Sequence, residues 1–163
     1  MLGKDFKTVP EKDSFNKNTD NYSLALLIFC LLTGAHPFSC TELSDDGQYV
    51  QDKNIKKGVC VYFKETYPSD AQIGIPLYSS GIGWLPDEIQ DLFYRAFVLG
   101  FKEPSKRPTP EEWYYTLKAQ EKSFRRCSAN KNHVYPRTSS YCPWCDTEVR
   151  FKTRKKTVPN IAS

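Results

Sequence analysis

The sequence lacks any apolar run that could cross a bilayer. Its longest, Leu24 to Leu32, has nine residues, whereas a membrane-spanning helix needs about 20. The N-terminus also lacks the apolar stretch of a secretory signal. These absences predict a cytoplasmic protein, where structural disulfides are rare. The six cysteines therefore indicate buried thiols, a metal site or both.

A strong net charge is absent as well. The 163 residues carry 23 Lys and Arg against 19 Asp and Glu, a net charge of +4, which is too mild to indicate nucleic-acid binding by itself. Hydrophobic residues make up 39% of the chain and aromatic residues 14%, which is typical of a globular protein. The length suits one domain with a small appendage.

Composition and periodicity divide the chain into four segments. Residues 1–19 are predicted to be an extended polar arm, and residues 20–126 a helical domain. Residues 127–148 hold a cluster of Cys and His, and residues 149–163 are a basic tail. The predicted fold class is therefore mainly α, with a small metal module near the C-terminus.

The first predicted helix spans residues 20–34. Thr19 or Asp20 can cap its start, and Gly34 can end it. Its residues are apolar on nearly all sides. We therefore expect this helix to be buried all round rather than to lie on a surface.

The rest of the helical domain is predicted to alternate helices and loops. A short polar helix lies within residues 45–57, and a glycine-rich loop follows over residues 74–83. Two further helices, residues 86–100 and 110–125, are joined by a turn. The first of them is expected to stop at Gly100. Thr109 opens the final helix in a capping box.

Cys127, His133, Cys142 and Cys145 give the strongest chemical pattern. They follow the spacing C-x5-H-x8-C-x2-C. A Cys-x2-Cys turn and a second pair from an earlier loop can complete the Cys3His tetrahedron of a structural zinc site. Four protein ligands leave no open position, so catalytic zinc is not expected. The alternative is a redox-active or chance Cys-x2-Cys pair beside an unrelated Cys and His.

Three aromatic residues lie close to the four candidate ligands in the sequence. Tyr135 lies between His133 and the Cys-x2-Cys turn, Tyr141 directly precedes that turn, and Trp144 lies inside it. We expect all three rings to pack around the metal site.

Several short strings resemble the second half of a protein-kinase domain. Residues 20–26, Asp-Asn-Tyr-Ser-Leu-Ala-Leu, resemble the Asp-x-Trp-Ser-Leu-Gly opening of the central helix of the kinase C-lobe. Residues 31–38, Leu-Leu-Thr-Gly-Ala-His-Pro-Phe, resemble the end of that helix. Val-Pro-Glu at 9–11 resembles the Ala-Pro-Glu that closes the activation segment, and Arg-Pro-Thr at 107–109 resembles the start of the last helix. The resemblance covers roughly residues 8–125.

The nearest subgroup is a family of bacterial eukaryotic-like Ser/Thr kinases, associated with helix-hairpin-helix kinase-like proteins. In that subgroup the kinase domain is followed by a Cys/His cluster that ends Cys-Pro-Trp-Cys, as residues 142–145 do here. The resemblance implies a partial kinase C-lobe, made of helices only, followed by a small zinc-ribbon-like module.

The resemblance also gives roles to three residues. Glu11 and Arg107 would form the buried ion pair that ties the activation segment to the C-lobe. Two surface charges are the alternative. Asp20 would accept hydrogen bonds from the backbone of the catalytic loop. A simple helix cap is the alternative for that residue.

The catalytic parts of a kinase are missing from the sequence. It contains no Gly-x-Gly-x-x-Gly and no Val-Ala-Ile-Lys, neither His36 nor His133 precedes Arg-Asp, and Asp5-Phe6 is followed by Lys7 instead of Gly. Phosphoryl transfer depends on these parts. The sequence therefore predicts a fragment that begins inside the activation segment and by itself neither binds ATP nor transfers phosphate.

Two functions remain open from the sequence. The first is a catalytically incomplete part of a Ser/Thr-kinase-like protein, a scaffold with structural zinc that captures the missing half or self-associates through helix 20–34. The second is a freestanding zinc-containing module that binds protein or nucleic acid. The basic tail has only Phe151 as an aromatic residue, which favours a solvated tail over a nucleic-acid site. No membrane partner is expected.

Overall fold

The computed structural model describes residues 16–42 and 47–157, and in this part of the chain the fold is mainly α, as predicted. The small antiparallel pair β1–β2 corrects the expectation that the lobe consists of helices only. A second antiparallel pair, β3–β4, lies at the metal module. The elements follow this order: α1 (Lys17–Thr33), β1 (Thr41–Glu42), α2 (Gln51–Lys57), β2 (Ile73–Gly74), α3 (Asp87–Tyr94), α4 (Pro110–Gln120), β3 (Phe124–Arg126), β4 (Val134–Pro136) and α5 (Pro143–Thr157).

Helix α1 begins earlier than the sequence suggested. The Asn16 side chain caps it by accepting hydrogen bonds from the backbone N–H groups of Asn18 at 2.9 Å and Thr19 at 3.3 Å. Asp20 lies exposed in the first turn, so neither it nor Thr19 is the cap. The contact of Asp20 with a catalytic loop stays a prediction. Gly34 ends the helix at φ 72°, as expected.

Only one face of α1 is buried. Its buried residues recur every four positions: Asn21, Ala25, Phe29 and Thr33. On the other side, the exposed fraction is 55% for Leu27 and 71% for Leu31. The expectation of burial on every side is therefore wrong for the described structure. Although α1 is apolar, neither it nor any other described helix has the length and apolarity to cross a membrane.

Aromatic rings from separate elements form the core. Phe29 of α1 contacts Phe93 of α3 at 4.9 Å between ring centroids, and Phe93 contacts Trp113 of α4 at 5.0 Å. Phe38, after α1, packs on Phe97 at 5.8 Å. Most of these pairs meet edge to face, the arrangement that the ring quadrupoles favour. The cluster holds α1, α3 and α4 together as one unit.

Helix α3 passes without a break into a π-helical segment, Arg95–Leu99, and a last α-helical turn, Gly100–Lys102. The expectation that Gly100 stops the helix is therefore wrong. A Cβ atom at this position would collide with Cγ of Arg107 and lie 2.8 Å from the carbonyl oxygen of Arg95. Glycine is required there because another chain segment approaches closely.

The capping box at the start of α4 is confirmed. The Thr109 hydroxyl accepts a hydrogen bond from the Glu112 N–H at 3.3 Å, and the Glu112 carboxylate accepts one from the Thr109 N–H at 2.8 Å. The same carboxylate binds Nη1 of Arg95 at 2.7 Å. The hydrogen bond from Arg95 lowers the pKa of Glu112. One carboxylate thus caps α4 and ties it to the π-helical segment.

The C-terminal part is more ordered than predicted. The hairpin of β3 and β4 places Arg125 opposite Tyr135, and α5 follows it. The segment expected as a solvated tail from residue 149 continues α5 to Thr157. A zinc-ribbon-like module was predicted, and its likeness to a ribbon is not confirmed, because the second pair of candidate ligands lies at the start of a helix.

Candidate metal centre

Four predicted ligands meet at the junction of the hairpin and α5. Cys127 follows β3, His133 precedes β4, and Cys142 and Cys145 lie at the start of α5. Their four donor atoms all lie within 4.8 Å of one another. The structure therefore brings together the whole set that the spacing C-x5-H-x8-C-x2-C predicts.

The distances between the donor atoms fit a tetrahedral metal ion. Cys127 Sγ and Cys145 Sγ are 3.7 Å apart. His133 Nδ1 lies 3.5 Å from Cys145 Sγ and 3.7 Å from Cys142 Sγ. Zn–S bonds of about 2.3 Å and Zn–N bonds of about 2.0 Å in a tetrahedron give sulfur–sulfur edges of about 3.8 Å and sulfur–nitrogen edges of about 3.5 Å. Three of the six donor–donor distances therefore match the edges of a zinc tetrahedron.

The loop between the strands prepares Cys127 to bind a cation. The Cys127 N–H donates to the carbonyl of His133 at 3.0 Å, which closes the loop. Backbone N–H groups of Asn130 and Ala129 point at the Cys127 sulfur and lower its pKa. The pKa of Cys145 is raised to about 12, chiefly by its hydrogen bond with Cys127. Thiols this close cannot all ionise unless a positive charge joins them.

The imidazole of His133 is held from its far side. Its Nδ1 faces the thiols, while Nε2 lies 3.4 Å from the Glu148 carboxylate and 3.2 Å from the Asn130 amide nitrogen. Metal binding at Nδ1 leaves the proton of the neutral ring on Nε2, and this N–H can donate a hydrogen bond to the Glu148 carboxylate. Sequence analysis missed Glu148. The available indication was its position three residues after Cys145 on one helix, which places both residues on one face.

The three aromatic residues expected around the site differ in their positions. The ring of Trp144 lies 6.3 Å from that of His133, as predicted. Tyr135 is buried on the hairpin, beneath the guanidinium of Arg125 at 4.9 Å. Tyr141 is 55% exposed, and its packing around the site stays a prediction.

Trp144 also joins the metal module to the helical domain. Its ring meets Trp84 edge to face at 5.9 Å. It also lies 3.6 Å from the point that a Cβ atom added to Gly34, at the end of α1, would occupy. On the same side, Nη2 of Arg150 donates to the carbonyl of Ser79 at 3.2 Å. The metal module is therefore packed against the helical domain.

Two proteins are similar in sequence to this chain over most of its length. It is 31% identical over 147 residues to the protein named Protein kinase YegI from Escherichia coli O157:H7, and equally to that of strain K12. Sequence similarity therefore relates the chain to a protein kinase. The alignment covers 86% of this chain but 22% of each relative, so the chain spans about a fifth of their length. No family model and no solved structure matches it.

Arg107, one of the residues placed by the kinase resemblance, is buried with 4% of its surface exposed. Its Nε donates to the carbonyl of Gly100 at 3.0 Å and its Nη1 to that of Asn18 at 2.8 Å. The guanidinium also lies 5.0 Å above the ring of Tyr22. A surface charge is therefore the wrong interpretation of Arg107. Glu11 lies outside the described residues, and its pairing with Arg107 stays a prediction.

Burial lowers the pKa of Arg107, and no carboxylate within residues 16–42 and 47–157 forms an ion pair with it. A buried cation without a counter-ion is costly. The described contacts of the Arg107 guanidinium are the carbonyls of Gly100 and Asn18 and the ring of Tyr22.

Proposed function

We propose that this chain supplies the helical C-lobe of a Ser/Thr-protein-kinase-like protein, joined to a structural zinc module, and acts as a scaffold that binds a partner. The observation that supports this most is the 31% identity to a protein kinase over 86% of the chain, combined with the chain's coverage of 22% of that relative. The mainly helical fold and the buried Arg107 agree with such a lobe.

The zinc assignment rests on the donor set. Three thiols and one imidazole, with spacings close to tetrahedral edges, suit zinc better than calcium or magnesium, which prefer oxygen ligands. Because four protein ligands fill the tetrahedron, the metal stabilises the fold and leaves no position for a substrate. Its main effect is to fix α5 against the hairpin.

Metal content tests this part of the proposal directly. Protein prepared without chelators is expected to carry about one zinc ion per chain, and Cys142→Ser to lose it and to unfold the module. The matched control is Cys30→Ser, which changes a partly buried cysteine that is not one of the four candidate ligands and should keep the metal. Wild-type protein free of metal would overturn the assignment.

The chain by itself is expected to be inactive as a kinase. Its sequence contains none of the kinase motifs that supply the glycine loop, the nucleotide-binding lysine, the catalytic aspartate or the magnesium-binding aspartate. Calorimetry with ATP and magnesium should therefore show no heat of binding. A micromolar affinity would contradict the scaffold proposal while leaving the zinc proposal intact.

The partner surface in this proposal is the exposed side of α1, which carries Leu27 and Leu31. The partner is the missing N-terminal half of a kinase-like protein or a second copy of the chain. The DNA sequence upstream of the first codon can distinguish this function from that of a freestanding zinc module. A coding sequence there for a glycine loop, an Ala-x-Lys strand and a His-Arg-Asp supports the kinase lobe.

A further inference from the structure

The two parts of the chain carry charges of opposite sign. Of the 23 Lys and Arg, 10 lie in residues 121–163, whereas only 3 of the 19 Asp and Glu lie there. Residues 1–120 therefore carry a net charge of −3, and residues 121–163 a net charge of +7. Such an asymmetry between the halves of a chain points to a polyanionic partner for the basic half.

The few carboxylates of the metal module do not neutralise its cations. Glu121 pairs with Lys118 at 2.7 Å, Asp146 with Arg150 at 2.9 Å, and Glu148 lies beside the imidazole of His133. Six other cations, all exposed, form no ion pair with any carboxylate in the described ranges: Lys122, Arg125, Arg126, Lys131, Arg137 and Lys152.

The hairpin fixes several of these cations in place. Arg126 donates from Nη1 to the carbonyl of Lys131 at 2.8 Å, which keeps those two cations on one loop. Arg125 donates from Nη2 to the carbonyl of Ser139 at 3.1 Å and stacks over Tyr135. Each contact uses one nitrogen of the guanidinium. The remaining N–H groups of these two guanidinium groups stay available and can donate hydrogen bonds to a phosphate.

The helical domain carries an acidic surface that repels such a ligand. Between α3 and α4 lies an open groove of about 720 Å³ that is lined by five carboxylates: Asp87, Glu88, Asp91, Glu111 and Glu112. A polyanion is therefore repelled from this groove.

We propose that the basic surface of the metal module binds the phosphate backbone of nucleic acid without strong sequence preference. The guanidinium groups of Arg125 and Arg126 match the geometry of a phosphate and can donate two hydrogen bonds to it. The exposed ring of Tyr141, 55% accessible, lies on the same module and can stack on a base. None of these residues belongs to α1, so the proposal does not depend on the kinase-like scaffold.

Fluorescence anisotropy with labelled 20-nucleotide single-stranded DNA and RNA, measured on the full zinc-loaded chain over a salt series, tests the proposal. The variant combines Lys122→Gln, Lys131→Gln and Lys152→Gln, three exposed lysines with no described ion pair. It should bind about tenfold more weakly at low salt, and its salt slope should fall by about 2.

The control variant combines Lys56→Gln, Lys57→Gln and Lys64→Gln, which removes the same charge from exposed positions in the acidic part of the chain. It should bind nearly as the parent does. Equal losses in both variants, or no binding at low salt, would overturn the proposal. Stronger binding to vesicles of anionic lipid or to polyglutamate than to nucleic acid would overturn it as well. Metal content and ATP binding do not enter this measurement.

Discussion

The carboxylate of Glu148 lies 3.4 Å from Nε2 of His133, on the side of the ring that faces away from the three thiols. This contact orients the imidazole and favours the tautomer that can bind a metal through Nδ1. Glu148→Gln should therefore lower the affinity for zinc by about 10- to 100-fold, as measured by competition with a chelator.

Asp146→Asn is the matched control for Glu148→Gln, because it also removes one negative charge from α5. The Asp146 carboxylate binds Arg150 and not the imidazole, so this variant should keep the parent's affinity. Equal affinities in the Glu148 variant and the parent would show that the contact does not position the ligand. In nitrogen NMR, the imidazole of the zinc-loaded parent should carry its proton on Nε2.

Gly100→Ala is expected to destabilise the protein although alanine favours helices. The added methyl group would meet Cγ of Arg107 and the carbonyl oxygen of Arg95. Overpacking of this kind costs about 1–3 kcal/mol of unfolding free energy. Gly83→Ala is the control, because a Cβ there has nothing within 4 Å. A gain of up to about 1 kcal/mol at Gly100, as helix propensity alone predicts, would contradict the steric explanation in a denaturation experiment.

Glu11 and Arg107 are expected to depend on each other. If they form a buried pair, Glu11→Ala and Arg107→Ala should each cost about 3–5 kcal/mol of unfolding free energy, and the double variant little more. Denaturant unfolding of the four proteins gives the coupling. Lys106→Ala, at the exposed neighbour of Arg107, should have almost no effect. Small, additive losses from Glu11→Ala and Arg107→Ala would mean that the pair does not form.

The exposed apolar side of α1 should drive association. Leu27 and Leu31 each leave more than half of their surface to solvent, and burial of a leucine is worth about 1.5–3 kcal/mol. Sedimentation at micromolar concentration should show self-association of the parent. Replacing both residues with glutamine should reduce it, whereas Val50→Gln, at another exposed apolar residue, should not. A sharp monomer that binds no hydrophobic dye would refute the prediction.

Local patterns were sufficient for some features. The capping box at Thr109 and the convergence of Cys127, His133, Cys142 and Cys145 depend on short spacings, and both were predicted from them. The start of α1 was misplaced because several residues near it can cap a helix, and only the backbone distinguishes Asn16 from the later candidates.

Other features depend on contacts that are distant in sequence. Gly100 resembles a helix terminator, but its reason is the approach of Arg107. The helix that continues through the basic segment to Thr157 was not predicted, although Lys and Arg are good helix formers. Glu148 was missed since the sequence does not show which side of the His133 ring faces the metal.

The π-helical segment Arg95–Leu99 has a geometric consequence for the whole lobe. Before it, α3 contacts α4, and the segment itself contacts α1. A π turn holds one more residue than an α turn, so loss of a single residue there would turn all that follows by about 100°. Gly100 would then face away from Arg107. The extra residue of the π turn thus lets one end of a continuous helix face α4 and the other end face Arg107. A homologue without this residue would need a different contact for its arginine.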